Sequence, residues 1–485
     1  MKTNIICTIV ILLWIQMTSC TKDFLDVPDK RVIVRQSYIT DLTTTSTFLN
    51  GIYIDLASRC YSGSSVIYPD LISDNIIPTT GSEQLLNFYR WEQQANDEQA
   101  EGISPSALNT NGLWLSGYRV ARNCAFVLET IDQYRSENPT KADDLKGQAY
   151  AIRGLVQHLL VNFYAQPYAF TATASHLGIP YAKTSKYNEE INRQSVKDVY
   201  QNIISDLTSG IALMADKPTN VKDVNRFEVM NKDAAKAILA RVYLYIGDYK
   251  NANTLALEVS EKYPMMTGSN YPSKLYTGSD TESLLRLTPS NSASGYYTLF
   301  SGINFRSSKV FSATNDIGEL LFSTTSDSRS NWVSAVLNTQ GQTEYEIHKF
   351  PMSVTSTHDF ADADYYQTII RSTEMFITAA ESFYMLGDET NARLYLNKVM
   401  QRANPLAPAI SLSGTPLLES IFDERRKEFC FEGLRMFDLL RWKKGVHRKK
   451  PLTTDKSDLP YPSGKAISPI PATDVKNGLT QNESY

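Results

Sequence analysis

Two stretches of this chain share one helix–turn–helix pattern, which restricts the fold more than any other feature of the sequence. Residues 235–264 read "AKAILARVYLYIGDYKNANTLALEVSEKYP", and residues 375–405 read "MFITAAESFYMLGDETNARLYLNKVMQRANP". Alanines at helical spacing let paired helices approach closely, and a shared Gly-Asp pair predicts the tight turn between them. The pattern predicts tetratricopeptide-like hairpins, which cannot bury their apolar faces without neighbouring helices.

The two hairpins start 140 positions apart, whereas such units normally recur about every 34 residues. We therefore predict a mainly α fold with an interrupted tetratricopeptide-repeat-like scaffold, about 113–264 and 371–441. Amphipathic helices at 114–164 and 195–214 would supply the neighbours. The interruption, about 265–365, is a loop-rich insertion with much Ser, Thr, Gly and Tyr, for which we expect short strands and surface loops.

The N-terminal residues predict a secreted, lipid-anchored protein. A lysine precedes the apolar run "IICTIVILLWI", which is typical of a signal peptide and too short to span a bilayer. Residues 1–19 are predicted as signal peptide, 20–36 as anchor and tether, and 37–485 as one domain. Cys20 ends "QMTSC", which resembles a bacterial lipobox although methionine replaces the usual leucine. Acyl chains such as palmitate on Cys20 would anchor the protein, at about 0.8 kcal/mol per buried CH₂; the alternative is a plain secretory peptide.

The charge balance argues against a nucleic-acid partner. Net charge is −4, and the one locally basic run, "KKGVHRKK" at 443–450, is predicted to be a solvated loop. Binding to DNA or RNA needs a broad basic face. The cysteines at positions 60, 124 and 430 are scattered, so they predict neither disulfides nor a metal site, and we expect them to be buried.

No motif for cofactor or metal chemistry is found. The sequence contains no P-loop, no dinucleotide-binding glycine fingerprint, no HExxH and no GxSxG. Asp359, Asp362 and Asp364 in "HDFADAD" could hold Ca²⁺, but an incomplete set of oxygen ligands favours a solvated loop. We therefore expect no cofactor and no metal.

A charged stretch at 423–442, "DERRKEFCFEGLRMFDLLRW", has two possible meanings. Its carboxylates beside arginines could form an acid–base site, or they could be structural. The spacing favours the structural role, because most charges fall at i,i+3 or i,i+4 on helix faces. We expect Gly433 to bend or end the helix and Arg435 to be partly buried against Glu432. The predicted local pairs are Asp423–Lys427, Arg425–Glu428, Glu432–Arg435, Arg435–Asp438 and Asp438–Arg441.

Seven motifs, in the order in which they occur along the chain, resemble those of the SusD/RagB family of outer-membrane nutrient-binding lipoproteins. Besides the two hairpins and the charged stretch, they are "KDFLDVP" after the lipobox, "GQAYAIRGLVQHLLVNFYAQPY" with "LGIPY", "RQSVKDVYQNIISDL" and "ISPIPATDVKNGLTQNESY". The resemblance covers nearly the whole chain. It implies a non-catalytic, cell-surface protein that captures oligosaccharide or polysaccharide and delivers it to a SusC-like TonB-dependent transporter. The stretch at 423–442 recurs in the family whatever the ligand, which again indicates a structural role.

The resemblance also implies that loops, not repeat helices, form the ligand-binding surface of this chain. A flat aromatic ring can cover the apolar C–H face of a sugar. On that basis the predicted ligand-binding residues are Tyr89, Trp91, Tyr296, Tyr297 and Trp332, with Asn87 and Arg90 as polar partners. We expect the two tryptophans to be exposed on one shared face. Trp114 and Trp442 lie on helical stripes and are assigned to the core.

Two alternatives to glycan capture remain open. A protein of the same architecture could capture peptide instead, which would favour charged or extended-strand contacts. A surface-tethered glycan hydrolase would need two carboxylates flanking the scissile bond, for instance from "HDFADAD" or "ERRKEF".

Overall fold

The computed structural model of the chain describes residues 38–61, 63–79, 83–94, 110–186, 192–287, 310–324, 326–338, 341–350, 366–450 and 456–485. The predicted signal peptide, the tether and Cys20 lie outside these residues. The same holds for Tyr296, Tyr297 and the three aspartates of "HDFADAD".

Helices dominate the described residues, which confirms the predicted mainly α class. They are α1 (Leu42–Asp55), α2 (Gly63–Leu71), α3 (Glu83–Tyr89), α4 (Thr110–Thr130), α5 (Pro139–Tyr164), α6 (Val196–Leu213), α7 (Lys232–Ile246), α8 (Tyr249–Lys262), α9 (Asn315–Phe322), α10 (Ser372–Met385), α11 (Glu389–Ala403), α12 (Thr415–Phe429), α13 (Arg435–Arg441) and α14 (Ala472–Lys476). Among these helices, none has the length and apolarity needed to cross a bilayer.

The helices from α4 to α8 form a row in which each packs against the next. The row then continues from α8 to α10, although the insertion lies between them in the chain, and α10 packs against α11 and α12. On α7 the buried face carries Ala234, Ala237, Ile238 and Arg241, at the helical spacing that a packed face requires. Arg241 donates from Nε to Oε1 of Glu374 on α10 at 2.8 Å, so an ion pair also joins the two parts of the scaffold.

Both predicted Gly-Asp turns are formed, and they share one geometry. Gly247 ends α7 and Gly387 follows α10, with φ of +79° and +84° in the left-handed region that favours glycine. The next residue, Asp248 or Asp388, accepts a hydrogen bond from the backbone N–H three positions later and so caps the following helix. The hairpins α7–α8 and α10–α11 are therefore closed by local sequence.

The insertion contains short strands, as predicted for its described part. The strands of the chain are β1 (Ile76–Pro78), β2 (Ser283–Leu287), β3 (Phe311–Ala313), β4 (Val333–Leu337), β5 (Thr343–Ile347), β6 (Gln367–Arg371), β7 (Val446–His447) and β8 (Asp458–Leu459). One sheet has the order β1-β3-β5-β4, so strand β1 from the N-terminal part pairs with the insertion. Strands β2 and β6 pair antiparallel where the insertion leaves and rejoins the scaffold.

The other burial predictions have mixed outcomes. The cysteines at 60, 124 and 430 are buried and free, and Trp114 lies in the core, as predicted. Trp442, which the sequence assigned to the core, is only half-buried; one face of its ring stacks on Phe422 with ring centroids 3.7 Å apart. The prediction of a solvated basic loop at 443–450 is wrong for Arg448, which is buried.

Candidate functional site

Two of the predicted ligand-binding rings, Tyr89 and Trp91, enclose the buried cation of Arg448. Tyr89 is 0% exposed and Trp91 7%, so the prediction that Trp91 offers an open platform is wrong. The Arg448 guanidinium lies 3.8 Å from the Tyr89 ring centroid and 4.1 Å from that of Trp91. It also donates to the backbone oxygens of Leu71, Ser73 and Tyr89. The rings therefore stabilise a buried charge by cation–π contact, and their faces are already occupied.

Trp332 has the same role toward a different cation. It is 3% exposed, and the ammonium of Lys349 lies 4.3 Å from its ring centroid. Lys349 donates to the carbonyl oxygens of Glu428 and Cys430, both at 2.8 Å, and to Glu432 at 2.6 Å. The prediction that Trp332 is exposed is therefore wrong. The prediction that Trp91 and Trp332 share one exposed face is wrong as well.

The charged stretch lies at the centre of a buried ion network. Glu428 is 0% exposed and accepts from three arginines that lie far from it in the chain. Arg371 and Arg402 each donate to its Oε1 at 2.7 Å, and Arg329 donates to its Oε2 at 3.1 Å. Burial alone would raise the pKa of Glu428, but these guanidinium groups hold it well below its usual range. A carboxylate that is enclosed and paired with three arginines indicates a structural role.

Most of the predicted local ion pairs are replaced by long-range ones. Glu432 does not pair with Arg435; it accepts from Arg371 and Lys349 instead. Arg435 forms a two-point contact with Asp74, at 2.7 Å from Nε and 2.8 Å from Nη2. Within the stretch, Asp438 accepts a hydrogen bond from Arg441, as predicted, and one from Arg425 at 2.8 Å. These contacts join α12 to α13. The stretch therefore connects the insertion, the N-terminal part and the helical row.

A second buried carboxyl fixes the end of α12. Helix α12 ends at Phe429, and Gly433 adopts φ +75°, as expected for a residue that breaks the helix. A β-carbon on Gly433 would lie 2.6 Å from the Ser65 carbonyl oxygen, so only glycine fits. Asp70 accepts from the backbone N–H groups of Phe431 and Gly433. Burial raises the pKa of Asp70 to about 6, despite these hydrogen bonds.

One cleft in the helical row combines aromatic rings with polar groups, and we call it the aromatic cleft. It lies where the ends of α5 and α13 meet α6 and α7, and its cavity volume is about 10 Å³, room for about one water molecule. Its lining residues are Asn162, Ala165, Pro167, Tyr168, Tyr200, Tyr245, Phe437, Leu440 and Arg441. The rings of Tyr168 and Tyr200 meet edge to face with centroids 5.4 Å apart. A space of this size admits a water molecule but no larger organic ligand.

The aromatic cleft carries no unbalanced charge among its described groups. Arg441 donates to Glu381 and Asp438, so its charge is already paired. His158 packs behind the cleft against Tyr200 and Tyr245. Burial lowers the pKa of His158 to about 3, so the imidazole is neutral at physiological pH.

Sequence reasoning did not identify this cleft. Tyr200 and Tyr245 lie on the buried stripes of α6 and α7, where periodicity assigns aromatic residues to the core. Phe437 lies in the charged stretch, for which the sequence predicts a structural role. The signal that could have marked the cleft is "NFYAQPY" at 162–168, where a proline ends a helix among aromatic residues.

No group of three or more His, Cys, Asp or Glu side chains suitable for a metal ion occurs within the described ranges.

Comparison with known proteins gives one family. A SusD-like family model, described as "Starch-binding associating with outer membrane", matches residues 24–244. No curated protein matches the sequence.

Solved structures resemble the chain over nearly its full length. One from Bacteroides vulgatus, provisionally named a sugar binding protein, is 27% identical with a TM-score of 0.76; the match covers 92% of this chain and 99% of that one. A SusD superfamily protein from Bacteroides thetaiotaomicron is 21% identical with a TM-score of 0.80, covering 91% and 100%. Another from Bacteroides vulgatus is 24% identical with a TM-score of 0.78, covering 92% and 100%. The fold is therefore that of the SusD superfamily.

Proposed function

Because this chain is a SusD-like family protein, we propose that it binds carbohydrate at the surface of the outer membrane. The family match over residues 24–244 carries the proposal, since the matching family is described as starch-binding and associated with the outer membrane. The resemblance to a structure named as a sugar binding protein supports the same ligand class.

The proposed working arrangement has two further parts. Cys20, as the first residue of the mature protein, carries the acyl chains that hold it to the membrane. The body then captures oligosaccharide or polysaccharide and passes it to a SusC-like TonB-dependent transporter. The N-terminal apolar run followed by "QMTSC" supports the anchor. A tethered binding protein needs only weak affinity, because it must release its cargo to the transporter.

We propose a carrier and not a hydrolase. The carboxylates that could have formed an acid–base pair in "ERRKEF" are buried, and Glu428 is surrounded by three arginines. A glycoside hydrolase needs one carboxyl that can hold a proton near neutral pH, and arginines oppose that. Tyr296 and Tyr297 remain proposed ligand-binding residues; they lie outside the described residues.

The test is affinity electrophoresis of the mature protein in gels that contain a polysaccharide, with starch first and other plant and host glycans after it. We expect at least one polysaccharide to retard migration relative to a non-binding protein. Calorimetry against peptide pools tests the alternative cargo. Binding of peptides with no retardation by any glycan would overturn carbohydrate capture, and release of reducing sugar from a retarding glycan would overturn the carrier role.

The Tyr296→Ala/Tyr297→Ala double variant tests the insertion in the same gels. We expect weaker retardation than for wild type, at an unchanged melting temperature. A Tyr395→Phe variant in helix α11 is a suitable control, since Tyr395 packs against Phe376 and Phe383 in the scaffold.

A further inference from the structure

Strand β4 lies at one edge of the sheet β1-β3-β5-β4, and its outer side pairs with no other described strand. The backbone oxygen of Trp332, just before β4, accepts from the N–H of His348, which follows β5. Bonded and non-bonded pairs alternate along an antiparallel ladder, so Val333, Ala335 and Leu337 direct their backbone groups away from β5. Among the described residues, the outward N–H groups of Ala335 and Leu337 have no partner.

This edge lacks the features that normally prevent strands of different molecules from pairing. β4 reads "VSAVL", with no charge and no proline, and its register with β5 is regular. Its last side chain, Leu337, is 74% exposed. The opposite edge of the sheet is protected, because β1 has only three residues and ends in Pro78. Of the two edges, β4 is therefore the one that can accept another strand.

We propose that the outer edge of β4 pairs antiparallel with β4 of a second copy of this chain, across a twofold axis at Ala335. Each Ala335 then exchanges both backbone hydrogen bonds with Ala335 of the other copy, and each Leu337 N–H reaches the Val333 oxygen of the other copy. The Val333 N–H needs no new acceptor, because it already donates to Ser330. An edge that is complementary to itself favours a second copy over an unrelated strand.

Charge does not oppose this pairing. The charged residues of the sheet are Glu344 and Glu346, and both lie on β5. In the paired sheet the two β4 strands separate the two β5 strands, which then lie three strand spacings, or about 14 Å, apart. That distance exceeds the Debye length of about 8 Å at physiological ionic strength, so solvent ions screen the like charges.

The pairing also covers exposed apolar side chains. In this register the exposed Leu337 of each copy lies directly opposite the buried Val333 of the other. Phe322, 45% exposed, lies on the same face, since its ring centroid is 6.3 Å from that of Tyr345, which is opposite Ala335.

The expected dimer is weak in solution. A strand of five residues gives a smaller contact than the roughly 1,200–2,000 Å² buried in stable interfaces. On the cell, the proposed lipid anchor would confine the copies to one surface and so raise their effective concentration.

The experiment is sedimentation velocity of residues 20–485, expressed without acyl chains, from about 10 µM to about 1 mM, the range for a weak complex. We expect the average mass of wild type to rise with concentration. Ala335→Lys and Ala335→Glu each place like charges directly opposite at the axis, so each alone should associate about fivefold more weakly. An equimolar mixture of the two should regain association. Leu406→Lys, at an 83% exposed leucine outside the sheet, should behave like wild type.

Hydrogen exchange of individual amides shows what covers the edge. Exchange at Ala335 and Leu337 should be fast in dilute protein and slow by about twofold when half of the molecules are paired. Ser334 and Val336, which face β5, should not depend on concentration. Slow exchange of the outward amides already in dilute protein would mean that the same chain covers the edge. Fast exchange and a constant mass at every concentration would mean that no second copy binds. Either result overturns the proposal.

The charged variants add an independent criterion. If both associate as strongly as wild type, or if mixing them gives no gain, the pairing about Ala335 is wrong. The wild-type dilution series needs no variant, so a charged variant that folds poorly does not prevent the test. Polysaccharide gels distinguish this failure from failure of the proposed function, because retardation of a protein that stays monomeric would leave carbohydrate capture intact.

Discussion

Replacing Arg435 by alanine should destabilise the fold because it removes one partner of a buried ion pair. Arg435 and Asp74 are joined by two hydrogen bonds of 2.7 and 2.8 Å, and Asp74 is 5% exposed. Removing one partner of a buried pair typically costs about 3–5 kcal/mol. Arg426 remains 3.2 Å from Asp74 and continues to compensate its charge. We therefore expect the low end of that range, about 3 kcal/mol.

The expected change in melting temperature is small but measurable. Unfolding entropy is about 2.1 cal/mol/K per residue, or roughly 0.95 kcal/mol/K for a body of about 450 residues. A loss of about 3 kcal/mol then lowers the melting temperature by about 3 °C. Differential scanning calorimetry resolves such a shift, provided that unfolding is reversible enough to compare variants.

A matched control exists on the surface of the protein. Arg135 makes the same two-point contact with Asp143, at 2.9 and 2.7 Å, but its side chain is 53% exposed. Arg135→Ala should change the melting temperature little, because solvent screens exposed pairs. Equal shifts for the two variants would refute the argument from burial. If Arg435→Ala loses glycan binding at an unchanged melting temperature, the charged stretch takes part in ligand binding and its role is not only structural.

Three further outcomes are expected. The pKa of Asp70 is about 6 in the folded state and 3.8 in the unfolded state, so wild type loses stability as the pH rises from 4 to 7 and the buried carboxyl ionises. Asp70→Asn does not ionise, so its destabilisation relative to wild type should shrink over the same range, by up to about 3 kcal/mol in urea titrations. A pH-independent difference would contradict this. Trp332→Ala should lower the free energy of unfolding by roughly 3–5 kcal/mol, because the ring is buried against Lys349; wild-type stability with weakened glycan binding would instead support the platform that the sequence predicted. Cys20→Ala should move the protein from the membrane to the soluble fraction upon cell fractionation, and retention in the outer membrane would exclude the anchor.

Local features of the sequence predicted the helical hairpins well. A Gly-Asp turn and alanines at helical spacing act within a few residues, so their outcome does not depend on the rest of the chain. Gly433 could be predicted for the same reason, since a glycine among helix-forming residues marks a break.

Ion-pair partners and ring burial could not be predicted in this way. Arg435 lies beside Glu432 in the chain but pairs with Asp74, 361 positions away. Trp91 and Trp332 stand in polar, loop-rich sequence, and only the folded structure shows that Arg448 and Lys349 lie against their rings. The aromatic cleft could not be predicted either, because its rings lie on helix faces that periodicity assigns to the core. Tyr245 lies on a buried helical stripe, and helical periodicity does not reveal that its hydroxyl has no hydrogen-bond partner among the residues that the structure describes.

The antiparallel pair β2–β6 holds the two ends of the insertion side by side, and this limits the cost of changing the insertion's length. Its two ends are fixed beside each other by the strands themselves and by Arg371, which contacts Glu282 before β2 and Glu428 in α12. Closing a longer loop between fixed ends costs only about 0.6 kcal/mol for each doubling of its length. The segment between the strands can therefore change in length while the packing of α8 against α10 is kept, provided that Arg329 and Lys349 still reach Glu428 and Glu432.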